Sequence, residues 1–169
     1  MKKPVAILLS LALALTLAAC GGTQPEESPD GAGTRVITDS LGREVTVPET
    51  VDEIVVLGNT PRMAVYLGLT DYVVGYSGMD AGSITPLTAY ANVTLDDWDD
   101  VPVVGTDSGG NTAYYSEDII LTGADVIFCT ATSDVAEQLN RETGIPVVVV
   151  SQGTLFGEDF EQSLSIMAQ

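Results

Sequence analysis

Apolar residues recur along the chain in short runs separated by longer, helix-like stretches. Runs rich in valine and isoleucine occupy positions 54–57, 72–75, 125–129 and 146–150, and a shorter run occupies 102–105. Such runs, without polar alternation, are typical of strands that are covered on both faces, as in a parallel sheet. The segments between them have helix ends, such as the start at Thr60-Pro61 and the stop at Gly68. The alternation predicts an α/β lobe with a mostly parallel sheet flanked by helices.

Two further segments flank this lobe. Strand-like residues 35–38 and 44–48 are separated by Asp39-Ser40-Leu41-Gly42, which has turn chemistry and predicts a small β-hairpin. At the other end, apolar residues recur at helical spacing over 157–169. No cap or glycine closes this last helix. We therefore expect it to be the truncated start of a longer connecting helix, with part of its apolar face left in water.

The first 34 residues have the layout of an export signal and a linker. A basic Met1-Lys2-Lys3 precedes an apolar stretch and the sequence Leu17-Ala18-Ala19-Cys20. This pattern resembles a bacterial lipobox, which implies removal of a signal peptide (1–19) and attachment of a lipid to Cys20. The alternatives are an N-terminal membrane helix or an ordinary signal, but the apolar run is shorter than the roughly 20 residues that cross a bilayer. Residues 20–34, rich in Gly, Pro, Glu and Ser, predict a flexible tether that anchors the protein to the extracytoplasmic side of the cell membrane.

The net charge of the chain limits the classes of partner that it can bind. The chain has 24 acidic and 6 basic residues, with a net charge of −18. A surface this acidic repels the phosphates of nucleic acids and of anionic lipids, so a nucleic-acid-binding role is disfavoured. Cys129 lacks a partner within the chain once Cys20 carries a lipid, and it predicts a buried, inert thiol.

The side-chain inventory also bears on catalysis and metal binding. The chain has no histidine, which excludes Ser-His-Asp and Cys-His catalytic sites. No P-loop or dinucleotide fingerprint is present. A carboxylate-pair hydrolase stays open on composition, although no pair stands out, and we do not expect an enzyme. The acidic run at 96–100 lacks the glycine of a calcium-binding loop and is typical of a solvated linker, so we expect no metal site and no cofactor.

Several short segments, in one order, carry a resemblance to a known family. They are VITDSLGREVTVP from position 36, IVVLG from 54, YLGLTDYVVG from 66, EDIIL from 117, ADVI from 124 and TGIPVV from 143. In this order, and behind a lipobox, they resemble the solute-binding lipoproteins of ABC importers for iron-siderophores, haem and cobalamin. The resemblance implies a Rossmann-like N-terminal lobe over 35–156, the start of the interlobe helix over 157–169, and a second lobe that is missing from this fragment.

The resemblance also implies a function. The protein would capture an iron complex (a ferric siderophore, haem or a related chelate) and deliver it to an ABC permease. Many members carry a glutamate at the place of Arg62 that docks onto the permease, and that role does not transfer to this chain. An acidic surface lipoprotein with a structural or protein-interaction role is the alternative.

Candidate ligand contacts follow the apolar runs, because ligands of open parallel sheets bind beyond the carboxyl ends of the strands. The candidates share polar or aromatic side chains: Asn59, Thr60, Arg62, Tyr76, Ser77, Asn111, Tyr114, Tyr115, Thr132 and Gln152. Such groups suit hydrogen bonding and stacking on a chelated or aromatic ligand, although small polar residues also serve ordinary turns. Arg62, in the first turn of its helix, predicts either an anion site or a solvated arginine paired with a surface acid.

Overall fold

A computed structural model of the protein describes residues 33–78, 88–108 and 111–169, without the side chains of Val93, Leu95, Asp96, Ser108 and Asn111. The signal peptide, Cys20 and nearly all of the tether lie outside the described residues, and their assignments stay predictions. Within the described ranges, every helix falls short of the length and hydropathy of a membrane span.

Strands and helices alternate along most of the described chain. The strands are β1 (Thr34–Thr38), β2 (Glu44–Pro48), β3 (Ile54–Leu57), β4 (Val73–Gly78), β5 (Val103–Ser108), β6 (Asn111–Tyr114), β7 (Val126–Cys129) and β8 (Val147–Val149). The helices are α1 (Thr60–Leu67), α2 (Ala89–Asp97), α3 (Ser116–Thr122), α4 (Ser133–Thr143) and α5 (Glu158–Met167), with a 3₁₀ turn at Thr70–Tyr72. The predicted α/β class is confirmed.

Six of the strands form one sheet in the order β6-β5-β4-β3-β7-β8. The pairs from β5 to β8 are parallel, and only the β5–β6 pair is antiparallel. All residues of β3, β7 and β8 are buried. The three apolar runs that form β3, β7 and β8 are therefore covered on both faces, as their composition predicts.

The core lies on both faces of this sheet. Successive residues of a strand point to opposite faces, and β3 accordingly divides its side chains between two apolar clusters. Ile54 and Val56 pack on the side of α1 and α5, whereas Val55 and Leu57 pack on the side of α3 and α4.

Strand β6 corrects the expectation that Asn111 and Tyr114 follow the run at 102–105 as residues of a loop. Asn111 pairs with Ser108 and Tyr114 pairs with Gly105, which places the predicted residues Asn111 and Tyr114 on an edge strand. An edge strand pairs on one side only and needs no continuous apolar run. The hydrophobic pattern therefore gave no signal for it.

Of the predictions for the two flanking segments, one is confirmed and one is wrong in part. The hairpin is confirmed, because β1 and β2 pair antiparallel from Thr34 with Pro48 to Thr38 with Glu44. The expectation that the last helix leaves its apolar face in water is wrong. Phe160, Ile166 and Met167 of α5 are buried in the same cluster as Ile54. Helix α5 thus packs on the sheet of the lobe, and a further role as a connecting helix stays a prediction.

Candidate functional site

The carboxyl ends of β3, β7 and β8 meet at one edge of the sheet. The backbone N–H of Asn59, just after β3, donates to Oγ1 of Thr130, just after β7, over 3.1 Å. Nδ2 of Asn59 donates to Oε1 of Gln152, beyond β8, over 3.0 Å. Two predicted residues, Asn59 and Gln152, are thereby brought together with Thr130. Thr130 was not among the candidates, and its place directly after a buried strand is the signal that identifies it.

Gly58 makes this close approach possible. Its φ is +67°, and a Cβ built on it would lie 2.3 Å from Oγ1 of Thr130. No side chain fits there unless Thr130 moves. Glycine adopts this left-handed conformation without the clash that a Cβ introduces. The backbones after β3 and β7 can therefore share a hydrogen bond at the edge of the sheet.

Two of the predicted residues are buried and serve the backbone. The hydroxyl of Thr60 lies 2.9 Å from the carbonyl oxygen of Leu57 and 3.1 Å from that of Phe128. The hydroxyl of Ser77 lies 3.4 Å from the carbonyl oxygen of Gly58. Since Thr60 and Ser77 are only 0% and 3% exposed, neither side chain is accessible to a ligand in this structure.

The predicted tyrosines are not gathered at one place. Tyr76 packs against Trp98, with ring centroids 5.1 Å apart, on the α1 side of the sheet. Tyr114 packs against the cluster on the opposite side of the sheet. Burial raises the pKa of its hydroxyl well above the ordinary value of a tyrosine. Tyr115 and Thr132 are exposed at the N-terminal caps of α3 and α4. The side chain of Asn111 lies outside the described residues.

Arg62 lies in the first turn of α1, beside an aromatic ring. Its Cζ is 5.6 Å from the ring centroid of Tyr90, which is a cation–π contact. Burial raises the pKa of Tyr90, and the charge of Arg62 partly opposes that shift. In the described ranges, the ion pairs are those of Arg43 and Arg141, so no described carboxylate pairs with Arg62. Arg62 is half-buried and lacks a described counter-ion.

Aromatic rings extend from α1 to the start of α5. Tyr66 makes a T-shaped contact with Phe160 at 6.1 Å between centroids, and Phe160 makes another with Phe156 at 6.2 Å. Tyr66 lies one turn beyond Arg62, and residues four apart share a helix face. None of the three rings was a candidate, because the hydrophobic pattern does not distinguish an exposed ring from a core ring.

The described residues also bear on metal and thiol chemistry. In the part of the chain that the structure describes, no three His, Cys, Asp or Glu side chains are grouped so that they could hold a metal ion. Cys129 is free and buried, as predicted. Burial raises the pKa of its thiol to about 12, so the thiol is neutral near pH 7 and is a poor nucleophile.

Comparisons with known proteins bear on the fold of the chain. No protein-family model matches the sequence, and no curated protein matches it. A periplasmic solute-binding protein from Veillonella parvula aligns with a TM-score of 0.60 and 22% identity, over 80% of this chain and 41% of that chain. The molybdate-binding protein MolA from Haemophilus influenzae aligns with a TM-score of 0.54 and 27% identity, over 76% and 37%. The heme-binding protein HmuT aligns with a TM-score of 0.53 and 23% identity, over 86% and 44%.

The fold is therefore that of one lobe of a periplasmic solute-binding protein. The chain spans between 37% and 44% of the length of these three structures. Their known roles are those of solute-binding proteins and not of enzymes. At these identities the likeness carries the fold, and it leaves the ligand of this chain to be proposed.

Proposed function

We propose that the chain is the ligand-binding lobe of a solute-binding protein that captures an iron complex and delivers it to an ABC permease. The complex would be a ferric siderophore, haem or a related chelate. Lipid attachment at Cys20 would hold the lobe at the outer face of the cell membrane. The observation that supports the proposal most is the meeting of Asn59, Thr130 and Gln152 at the carboxyl edge of this lobe.

The chemistry of the edge supports an intact chelate as the ligand. Asn59 and Gln152 offer amide donors and acceptors, and Arg62 offers a cation without a described counter-ion. These groups can bind carboxylate or catecholate oxygens at the periphery of a chelate and leave its iron ligands in place. A bare iron ion would instead require a cluster of metal ligands, and no such cluster occurs among the described side chains.

Charge adds a second argument. An anionic chelate is repelled by a chain of net charge −18, so capture needs a local attraction that outweighs the long-range field. The first turn of α1 supplies one at Arg62, where the neighbouring ring of Tyr90 makes a cation–π contact with the guanidinium. We expect Arg62 to bind the anionic part of the ligand.

Titration of the purified chain with a ferric siderophore and with haem tests the proposal. At a ligand concentration ten times the Kd, binding stabilises the folded state by about 1.4 kcal/mol, which a thermal unfolding assay detects. We expect affinities weaker than micromolar, because one lobe contacts one side of a ligand and still bears the full cost of orienting it.

Matched variants locate the site. Asn59→Ala with Gln152→Ala should abolish the stabilisation, whereas Gln138→Ala should not, since Gln138 is an exposed amide on α4 whose side chain donates to Glu142. If no iron complex stabilises the wild-type chain, the proposal is wrong and the structural role of an acidic surface lipoprotein stands in its place. A submicromolar Kd would contradict the expectation drawn from a single lobe.

A further inference from the structure

Phe156 combines two features that are both unfavourable for folding. Its side chain is 75% exposed, and its φ is +63°. Among the described residues it is the one non-glycine residue with a positive φ. A residue with a Cβ adopts this left-handed conformation at an energetic cost. Conformations of this kind persist where the surrounding structure enforces them, and they cluster at functional sites.

The loop that carries Phe156 is bonded to α5 at its start and closes on itself at its end. At its start, the buried hydroxyl of Ser163 accepts the N–H of Ser151 over 2.9 Å. At its end, the N–H of Gly157 donates to the carbonyl oxygen of Thr154 over 2.7 Å. Between them, a Cβ on Gly153 would lie 2.8 Å from Cβ of Asp159, which shows how closely the loop approaches the helix. The exposed ring is therefore presented by a braced loop.

The position of the loop connects the ring to the proposed ligand site. The loop begins directly after β8 and includes Gln152, which bonds Asn59 at the carboxyl edge. On its other side, Phe156 contacts Phe160, and Phe160 contacts Tyr66 on α1. Tyr66 lies one helical turn from Arg62. Phe156 is thus linked through the buried ring of Phe160 to the helix that carries Arg62.

We propose that Phe156 is a pre-positioned stacking platform, and that the ligand presents a flat apolar or aromatic face beside an anionic group. This inference rests on the proposed function and names the class of chelate that it would take. A planar aromatic face packs well on a phenyl ring, and pre-positioning the ring lowers the ordering cost of binding. A compact inorganic oxyanion has no such face and would gain nothing from Phe156.

Stability measurements separate a ligand-binding ring from a structural one. Phe156→Gly removes the ring and frees the backbone from its positive φ. We expect the unfolding midpoint to stay unchanged or to rise. Phe160→Ala is the control, because Phe160 is buried at 2% exposure in the same group of rings, and its midpoint should fall. A clear fall for Phe156→Gly would overturn the platform role.

Binding measurements then test the ligand class. The probes are gallium(III) protoporphyrin IX, which is flat and carries carboxylates, and molybdate, which is compact. We expect the porphyrin to shift the amide NMR signals of 152–157 saturably in the wild type. Phe156→Gly should weaken that binding about tenfold, equivalent to about 1.4 kcal/mol. Phe156→Tyr keeps a ring and should bind within about twofold of wild type. Leu155→Ala removes apolar area beside the ring and should leave the affinity unchanged.

The outcomes distinguish this inference from the proposed function. Binding of molybdate without porphyrin would overturn the aromatic ligand class and leave a solute-binding role intact. Binding of neither probe, nor of any iron complex, would overturn both. An equal loss in Phe156→Gly and Leu155→Ala would show non-specific adhesion of the porphyrin and overturn the platform. Unchanged porphyrin affinity in Phe156→Gly would do the same.

Discussion

The carboxylate of Asp39 joins the hairpin to the sheet. Its side chain is fully buried, and its Oδ2 lies 2.6 Å from the guanidinium of Arg43. Oδ1 accepts the N–H groups of Leu41 and Arg43, and Oδ2 also accepts the N–H of Val149. Arg43 donates in turn to the carbonyl oxygen of Val147 over 3.0 Å. A buried carboxylate is tolerated when its oxygens are bonded in this way.

Asp39→Asn should therefore destabilise the protein strongly. It removes one charge of a buried pair and turns an NH₂ group toward donors, which costs about 3–5 kcal/mol. Glu137→Gln is a matched control, because Glu137 also pairs with an arginine four residues on, but at 3.9 Å and with exposed side chains. Its cost should be below about 1 kcal/mol. Urea unfolding measures both, and equal costs would contradict the structural role of Asp39.

The proximity of two candidate residues was predictable from position alone. Asn59 and Gln152 each lie two or three residues beyond the end of a buried strand, and a hydrogen bond joins them. Thr60 has the same kind of position and polarity, yet its hydroxyl turns inward to backbone carbonyls. The direction of a hydroxyl depends on which backbone groups the tertiary fold leaves near it. The positive φ of Phe156 was not predictable, because residue type does not encode it.

Helices and strands were predictable to the extent that they lie inside the lobe. Strands β3, β7 and β8 are covered on both faces, so their composition alone identifies them. The edge strand β6 and the partner surface of α5 were missed. Strand β6 pairs with β5 without an apolar run of its own, and α5 packs on strands that are distant in sequence. A local hydrophobic pattern carries no information about either contact.

Two glycines next to α1 allow a direct test of close packing. Gly58 and Gly68 have nearly the same φ, +67° and +69°, but a Cβ would meet Oγ1 of Thr130 only at Gly58. Gly68→Ala should cost about 1–2 kcal/mol, the penalty of a left-handed residue. Gly58→Ala should cost more, because it also displaces Thr130 from the N–H of Asn59.

Chemical unfolding with amide NMR checks this expectation. Signals of Asn59 and Gln152 should shift in Gly58→Ala and stay in place in Gly68→Ala. Equal free energies of unfolding for the two variants would mean that Thr130 adapts freely and that the approach of β3 to β7 is not tightly packed.

Charge governs the behaviour of the molecule as a whole. The sequence has 24 acidic and 6 basic residues, and the described residues form only the ion pairs of Arg43 and Arg141. Most of the described carboxylates therefore form no ion pair. Two such charges about 10 Å apart repel by about 0.4 kcal/mol in water, and the folded state brings many of them closer than the unfolded chain does.

Salt should consequently stabilise the protein. Raising NaCl from about 20 mM to about 500 mM shortens the screening length from above 10 Å to below it. We expect the free energy of unfolding to rise by on the order of 1 kcal/mol as repulsion is screened. Asp99→Asn with Asp100→Asn removes two adjacent exposed acids and should raise stability at low salt while flattening the salt dependence. A fall in stability with salt would show that the attraction within ion pairs such as Asp39–Arg43 outweighs the repulsion among the acids.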